Sequence, residues 1–262
     1  MNHQLYEKLQ STEPYSREEL GWLLDHIGAA DASIRDDLVY ASFCHALLDG
    51  LVTRTDLDWL AGEIMKRNLL FYKIEETGQA TLTRSFTALL ATLLIGLDGD
   101  QQSIYKTALS SNHRLTLFQL ALQYLTKESD ATGWSAESGW VHAFAHGADF
   151  LLYASQHPDF PETYDAIWQT IIMVFRNQQQ VFTANEEKRL AIVVSQLVLQ
   201  EKIGQQDLFN WITKTDFPKV QDQDYLRWLN YQNFLLKIYM DLDQADQLCH
   251  DLKESLQQAC TE

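Results

Sequence analysis

His142, His146, Asp149 and Tyr153 recur at spacings of four, three and four residues within GWVHAFAHGADFLLYASQ, 139–156. On a helix turning about 100° per residue these side chains fall within about 60° of one another, while Trp140, Phe144 and Leu151 point the opposite way. A carboxylate beside an imidazole favours the charged ring and moves its titration up across neutrality. His146 therefore reads as a general base oriented by Asp149, with His142 assisting as acid. The same histidines have a metal reading, because His142-x-x-x-His146 is the spacing that places two imidazoles on one divalent ion. That is half a site: Ala143 stands where zinc proteases carry a glutamate base, and Asp149 lies about 10 Å along the axis from His142. A third reading needs no ligand, only a buried His–Asp hydrogen bond between helices. Ala143 and Ala145 flank the stripe and are small enough to leave a groove beside it.

Three other places carry chemistry. Arg84 is the one charge in TRSFTALLATLLIGL, on a first helical turn whose dipole disfavours a cation. It calls for a negative partner, with Asp36, Asp149, Glu137 or an anionic ligand as candidates, unless it simply faces solvent. In SIRDDLVYASFCHALLDG, Asp36, Tyr40, Phe43 and Leu47 align, so Asp36 and the Tyr40 hydroxyl face inward. Alternatively, Asp36 caps the helix as the fourth residue of Ser33-x-x-Asp36. The loop DATGWSAESGW reads as a structured lid that brings Asp130, Gly133, Trp134, Glu137 and Gly139 ahead of the stripe. Its aromatics would wall a groove and the following helix amino terminus would accept an anion, although glycine and serine also suit plain turn geometry. The ligand-binding set is then Asp36, Arg84, Asp130, Glu137, Trp140, His142, His146, Asp149 and Tyr153. His142, His146 and Asp149 are the catalytic candidates, and His142 and His146 the metal candidates.

These residues need helices to position them. Apolar residues recur with a 3.6-residue period, and the chain has only 4 prolines and 11 glycines, so about a dozen helices and no strand are expected. The spans are 3–10, 16–29, 33–49, 55–73, 81–97, 101–110, 113–128, 138–156, 161–179, 185–202, 204–214, 222–241 and 244–260. Start signals are Ser16 with Glu19, Ser33 with Asp36, Thr55 with Asp58, and Pro161 before Glu162. Short connections force antiparallel neighbours, giving an all-α fold read as an irregular α-solenoid, a HEAT/armadillo-like stack of helical hairpins. The alternative is a compact orthogonal bundle, since no repeat of fixed period is visible. Residues 1–262 read as a single all-helical domain, 1–203 forming the main array and 204–262 capping it.

With 20 basic against 36 acidic residues the formal charge is -16, which repels phosphate backbones and anionic lipid, so neither nucleic acid nor membrane is an expected partner. Apolar runs such as 88–95, with one Thr inside, are shorter than the roughly 20 residues of a membrane span, and MNHQLYEKLQ lacks the pattern of a secretory leader. A cytoplasmic location is expected. Cys44, Cys249 and Cys260 show no paired spacing and read as ordinary thiols. No cofactor is expected apart from a divalent metal at the histidine pair. The partner is an unknown small molecule or protein.

Arg35-Asp36, Arg84-Ser85-Phe86, Asp130-x-x-Gly133 and Gly139-Trp140-x-His142-x-x-x-His146-Gly147-Ala148-Asp149 together resemble the bacterial family called domain of unknown function 2785, over residues 30–155. The family pattern has an arginine before the glycine matching Gly133 and a lysine before the Gly-Trp pair, where this chain has Thr132 and Ser138. Those departures remove two cations and put more weight on Arg84. The resemblance implies a helical fold with matched polar positions at Arg35, Asp36, Arg84, Asp130, His142, His146 and Asp149, and no named reaction. The functional reading is a binding module holding a small polar ligand or peptide in a His/Asp/Arg-lined groove. Its alternatives are a hydrolase using His146 and Asp149, with metal assistance through His142 and His146, and a partner-binding scaffold in which the seam is structural.

Overall fold

The computed structural model describes residues 1–161 and 164–261, with side chains as far as Ala259. The start signal at Glu162 and the Cys260 thiol lie outside the described residues. The helices are α1 (Asn2–Lys8), α2 (Arg17–Asp25), α3 (Ala32–Ile34), α4 (Ala41–Leu48), α5 (Arg54–Lys66), α6 (Gln79–Gly99) and α7 (Ser111–Lys127). They continue as α8 (Ala143–Gln156), α9 (Tyr164–Asn177), α10 (Glu186–Leu199), α11 (Gln205–Lys214), α12 (Asp222–Gln244) and α13 (His250–Thr261). A π-helical segment, Arg35–Tyr40, joins α3 to α4, and a 3-10 turn, Leu69–Phe71, follows α5. The one ladder among the described residues pairs β1 (Trp134–Ser135) with β2 (Gly139–Trp140), antiparallel. The fold is all-α with about a dozen helices.

Local capping explains where several helices begin. Ser16 and Glu19 form the expected reciprocal box at α2. At α5 the box is Thr53 with Asp56, two residues before the expected pair, and Asp58 instead accepts from the Ser110 N–H at 2.7 Å and from His113 Nδ1 at 2.8 Å. Asp31 caps α3, accepting from Ser33 N at 2.9 Å and Ser33 Oγ at 2.7 Å, so Asp36 is not the cap. The helix expected over 101–110 is a run of turns. There Asp100 and Ser103 side chains accept from the N–H groups two residues on, offering the backbone an alternative to helical bonds.

Contacts cluster the chain into two compact units. The first comprises Met1–Asp130 and Trp134–Phe160. Its central element is α6, which by length and composition resembles a membrane span, yet 72% of its most apolar window is buried among neighbouring helices. α8 packs along α6 and also against α7, while α4 and α5 touch α6 elsewhere. Close approach explains the small residues of α8: a Cβ on Gly147 would lie 2.6 Å from the Tyr124 ring. Ala143 and Ala145 are 1% and 3% exposed, so they serve helix contact and leave no groove.

A buried polar clamp closes one end of this unit. Asp98, fully buried on α6, accepts from Arg114 Nε at 2.5 Å, from the Leu109 N–H at 2.7 Å and from His157 Nε2 at 3.1 Å. The Asp159 N–H donates to His157 Nδ1 at 3.0 Å, which fixes the neutral ring as the Nε2–H tautomer. Burial raises the Asp98 carboxyl, but the His157, Arg114 and Leu109 donors outweigh it and hold it below the usual carboxylate range.

The second unit, Ala131–Gly133 and Pro161–Glu262, packs α12 against α9 and α10, with α13 against α11 and α12. Its core is aromatic: Phe234 lies 5.1 Å from Phe175 and 5.9 Å from Trp168 between ring centroids. Buried Asn230 ties α12 to the chain before α10, accepting from the Phe182 N–H at 2.9 Å and donating to the Gln180 carbonyl at 3.0 Å.

Candidate functional site

Arg84 is fully buried on α6 and spends all its donors inside the first unit. Nε and Nη2 bind the Glu128 carboxylate at 2.7 and 2.9 Å, and Nη2 also reaches Thr81 Oγ1 at 3.0 Å. Nη1 donates to the carbonyls of Tyr72, Lys73 and Glu76 at 3.0–3.1 Å. The partner is thus Glu128, 44 residues away, rather than Asp36, Asp149, Glu137 or a ligand. Five N–H groups with acceptors leave Arg84 nothing to offer an anion. Asp130 belongs to the same framework: 6% exposed, it accepts from the Gly78 N–H at 2.9 Å and Thr81 Oγ1 at 2.6 Å. Both residues brace the 72–78 loop and are withdrawn from the ligand set.

Arg35 is the arginine beside the histidines. It sits in the π-helical segment, fully buried, with its guanidinium carbon 4.8 Å over the Phe86 ring. Nη1 donates to the Ala29 carbonyl at 3.1 Å, and Nη2 donates to Asp36 Oδ2 and the Ser138 carbonyl, both at 2.8 Å. Nε has no hydrogen-bond acceptor and lies with the rest of the group against Phe86. Burial pushes the half-buried Asp36 carboxyl up, against the opposing pull of Arg35.

Through Ser138, Arg35 anchors a hairpin whose first strand lies in the expected lid loop and whose second lies at the start of the helix expected over 138–156. The ladder sets Trp134 opposite Trp140 and Ser135 opposite Gly139, and Gly139 takes φ +71°. Both tryptophans are more than half exposed, at 56% and 54%. His142 is not on the helix but precedes it as N-cap, with left-handed backbone at φ 49° and ψ 33°. The four-residue stripe therefore shortens to His146, Asp149 and Tyr153 on α8. Trp140, expected to point away, stacks on His142 with centroids 4.5 Å apart and rings 5° from parallel. Glu137 is exposed at the hairpin tip.

From there ring contacts run inward. His142 lies 5.8 Å from His146, His146 5.5 Å from Phe86, and Phe86 6.1 Å from Tyr40. Ser85, buried on α6, holds the His146 ring: Oγ lies 2.8 Å from Nδ1 and donates its one hydrogen to the Val141 carbonyl. A hydroxyl committed as donor must accept from the ring, so the neutral His146 carries its proton on Nδ1 and presents Nε2 as its basic nitrogen. Burial pushes the Tyr40 hydroxyl pKa up, and Cys44, Asp149 and Tyr153 add to the rise, so it stays protonated. His142, His146 and Asp149 are half-buried and Tyr153 is 47% exposed, its ring lying where a Cβ on Gly96 would stand. Among the described residues no three His, Cys, Asp or Glu side chains converge as a metal set.

Asp36, Tyr40, Trp140, His142, His146, Asp149 and Tyr153 thus share one side of the first unit, and Arg84 and Asp130 do not join them. The ligand-binding set expected from the sequence lacks Arg35, Ser85 and Phe86, although the family resemblance includes all three and implies Arg35 as a matched polar position. Their signal was proximity in sequence: Arg35 stands next to Asp36, Ser85 next to Arg84, and Phe86 two residues beyond Arg84.

The chain has no match among curated proteins and none among solved structures. The family model described as Protein of unknown function (DUF2785) matches residues 70–240. That span covers α6, the hairpin and α8 as well as most of the second unit, and with more than half of its length matched the chain belongs to the DUF2785 family.

Proposed function

We propose that the first unit is a binding module that holds a small polar ligand against Trp140, His142, His146 and Asp149. The observation carrying this reading is the accessible Trp140 ring stacked on His142, a non-glycine residue in left-handed backbone. Such backbone costs on the order of 1 kcal/mol and collects at sites where geometry matters more than stability. An indole left more than half in water forgoes apolar burial worth a few kcal/mol, which a ligand would restore. His142→Gly removes the ring while suiting the backbone. A thermal-shift screen of metabolite-sized polar compounds should find binders that stabilise the parent protein. At 100 times its Kd a compound adds about 2.7 kcal/mol, raising Tm by roughly 5–10 °C. The same compounds should lose most of that shift in His142→Gly, whose own Tm stays close to the parent's. Binders that stabilise both proteins equally would refute the site.

The Nδ1–H tautomer imposed by Ser85 favours a second reading, hydrolysis with His146 Nε2 as general base near Asp149. Turnover of a chromogenic ester panel that disappears in His146→Gln would favour it over binding. Equal rates in both proteins would remove it.

A further inference from the structure

Resting on the binding reading above, we infer that the ligand is an organic cation carrying a guanidinium group, which lies flat on Trp140 and is drawn there by the acidic surroundings of the patch. The charged groups around the patch are one-sided. From Ser129 to Phe160 the chain contains no lysine or arginine, while Glu137 and Asp149 lie in that stretch. On the facing π-helix and α4, residues 36–48 carry Asp36 and Asp37 and again no lysine or arginine. The two arginines nearby are spoken for: Arg84 by Glu128 and loop carbonyls, Arg35 by Asp36, the Ser138 carbonyl and the Phe86 face. Both are fully buried, so neither presents charge to an incoming anion.

Shape narrows the class. Trp140 and His142 are nearly parallel, so the outer indole face continues a stack and suits another flat group. Trp134, its exposed cross-strand neighbour, widens the platform with a second electron-rich ring. A cation over an indole gains about 0.5–2 kcal/mol, and indole is the best of the aromatic faces for this. Guanidinium is planar, stacks on aromatic rings and directs N–H pairs at carboxylates, whereas ammonium is a strongly hydrated point charge. The net charge of -16 draws such a ligand in and repels an anionic one.

The test follows the indole N–H resonances of Trp134 and Trp140 by NMR, assigned with single Trp→Phe variants, during titration of the full chain. N-acetyl-arginine amide and N-acetyl-citrulline amide differ only in guanidinium against neutral urea. The arginine compound should move both resonances saturably and bind at least tenfold more tightly than the citrulline compound. Trp140→Ala should weaken it at least tenfold and Asp149→Asn severalfold, with the remaining spectrum unchanged. Equal binding of the two compounds would overturn the inference, as would affinity indifferent to Trp140→Ala. Saturable shifts with glucose or inorganic phosphate but none with the arginine compound would overturn the cation class while leaving the binding reading intact. No response to any of the four compounds would overturn both.

Discussion

Arg84→Met should lower the free energy of unfolding by about 3–5 kcal/mol, because it breaks a fully buried ion pair and leaves Glu128 charged without a counter-ion. The loss exceeds what the pair itself contributes. Glu128 has 0% side-chain exposure and cannot turn to water, and the carbonyls of Tyr72, Lys73 and Glu76 lose their shared donor. Against a total stability of about 5–15 kcal/mol, such a loss brings the unit near unfolding. Neutralising the stranded acid should restore much of it. Glu128→Gln is the suitable partner substitution, since Oε1 of Glu128 also accepts from the N–H groups of Ser129 and Asp130, which an amide oxygen can still do. Urea unfolding at pH 7 is expected to show Arg84→Met/Glu128→Gln at least 1 kcal/mol more stable than Arg84→Met alone, about the worth of one restored buried bond. A single-variant loss under about 1 kcal/mol would mean that Arg84 is solvated and that this pairing is wrong.

Asp98→Asn is the second large effect, expected to cost about 3 kcal/mol at neutral pH. Its partners are donors: Arg114, the Leu109 N–H and His157 Nε2–H. An amide brings two N–H groups of its own into that ring, so at least one donor faces another donor. The charge also predicts an acid limb. The folded carboxyl titrates below its unfolded value of about 3.9, so the stabilisation is complete above that pH and disappears as pH falls through the lower folded value. Between about pH 5 and pH 2 the parent protein should lose stability more steeply than Asp98→Asn, and the two curves should converge in acid. Parallel curves would show that Asp98 does not carry the acid sensitivity.

The helical class was legible because periodicity is local, and Ser16 with Glu19 shows a cap read correctly from three residues of spacing. Errors came where a nearby rival satisfied the same backbone. Asp31 displaced Asp36 as a cap, and Thr53 with Asp56 displaced Thr55 with Asp58. The hairpin within 134–140 escaped notice because 134–137 read as loop and 138–140 as the first residues of the following helix. What decides against the helix is positive φ at Gly139 and His142 together with a tether from Arg35, about a hundred residues earlier. The partner of Arg84 was illegible for the same reason. That an isolated cation on an apolar helix needs an acid follows from elementary electrostatics, but which acid depends on how α7 ends, and nothing near Arg84 encodes that.

The π-helical segment also sets how the patch answers a change in chain length. Its bonds span five residues where an α-helix spans four, so it holds one residue more than the regular turn it replaces. Deleting a single amino acid between Arg35 and Tyr40 would let the segment relax to ordinary winding with the helix on either side still in phase, whereas the same deletion inside α4 would turn everything before it by about 100°. The second deletion would carry Arg35 off the Phe86 ring and release Ser138, unfastening the hairpin that bears both exposed indoles. Relatives one position shorter within 35–40 would keep the aromatic shelf.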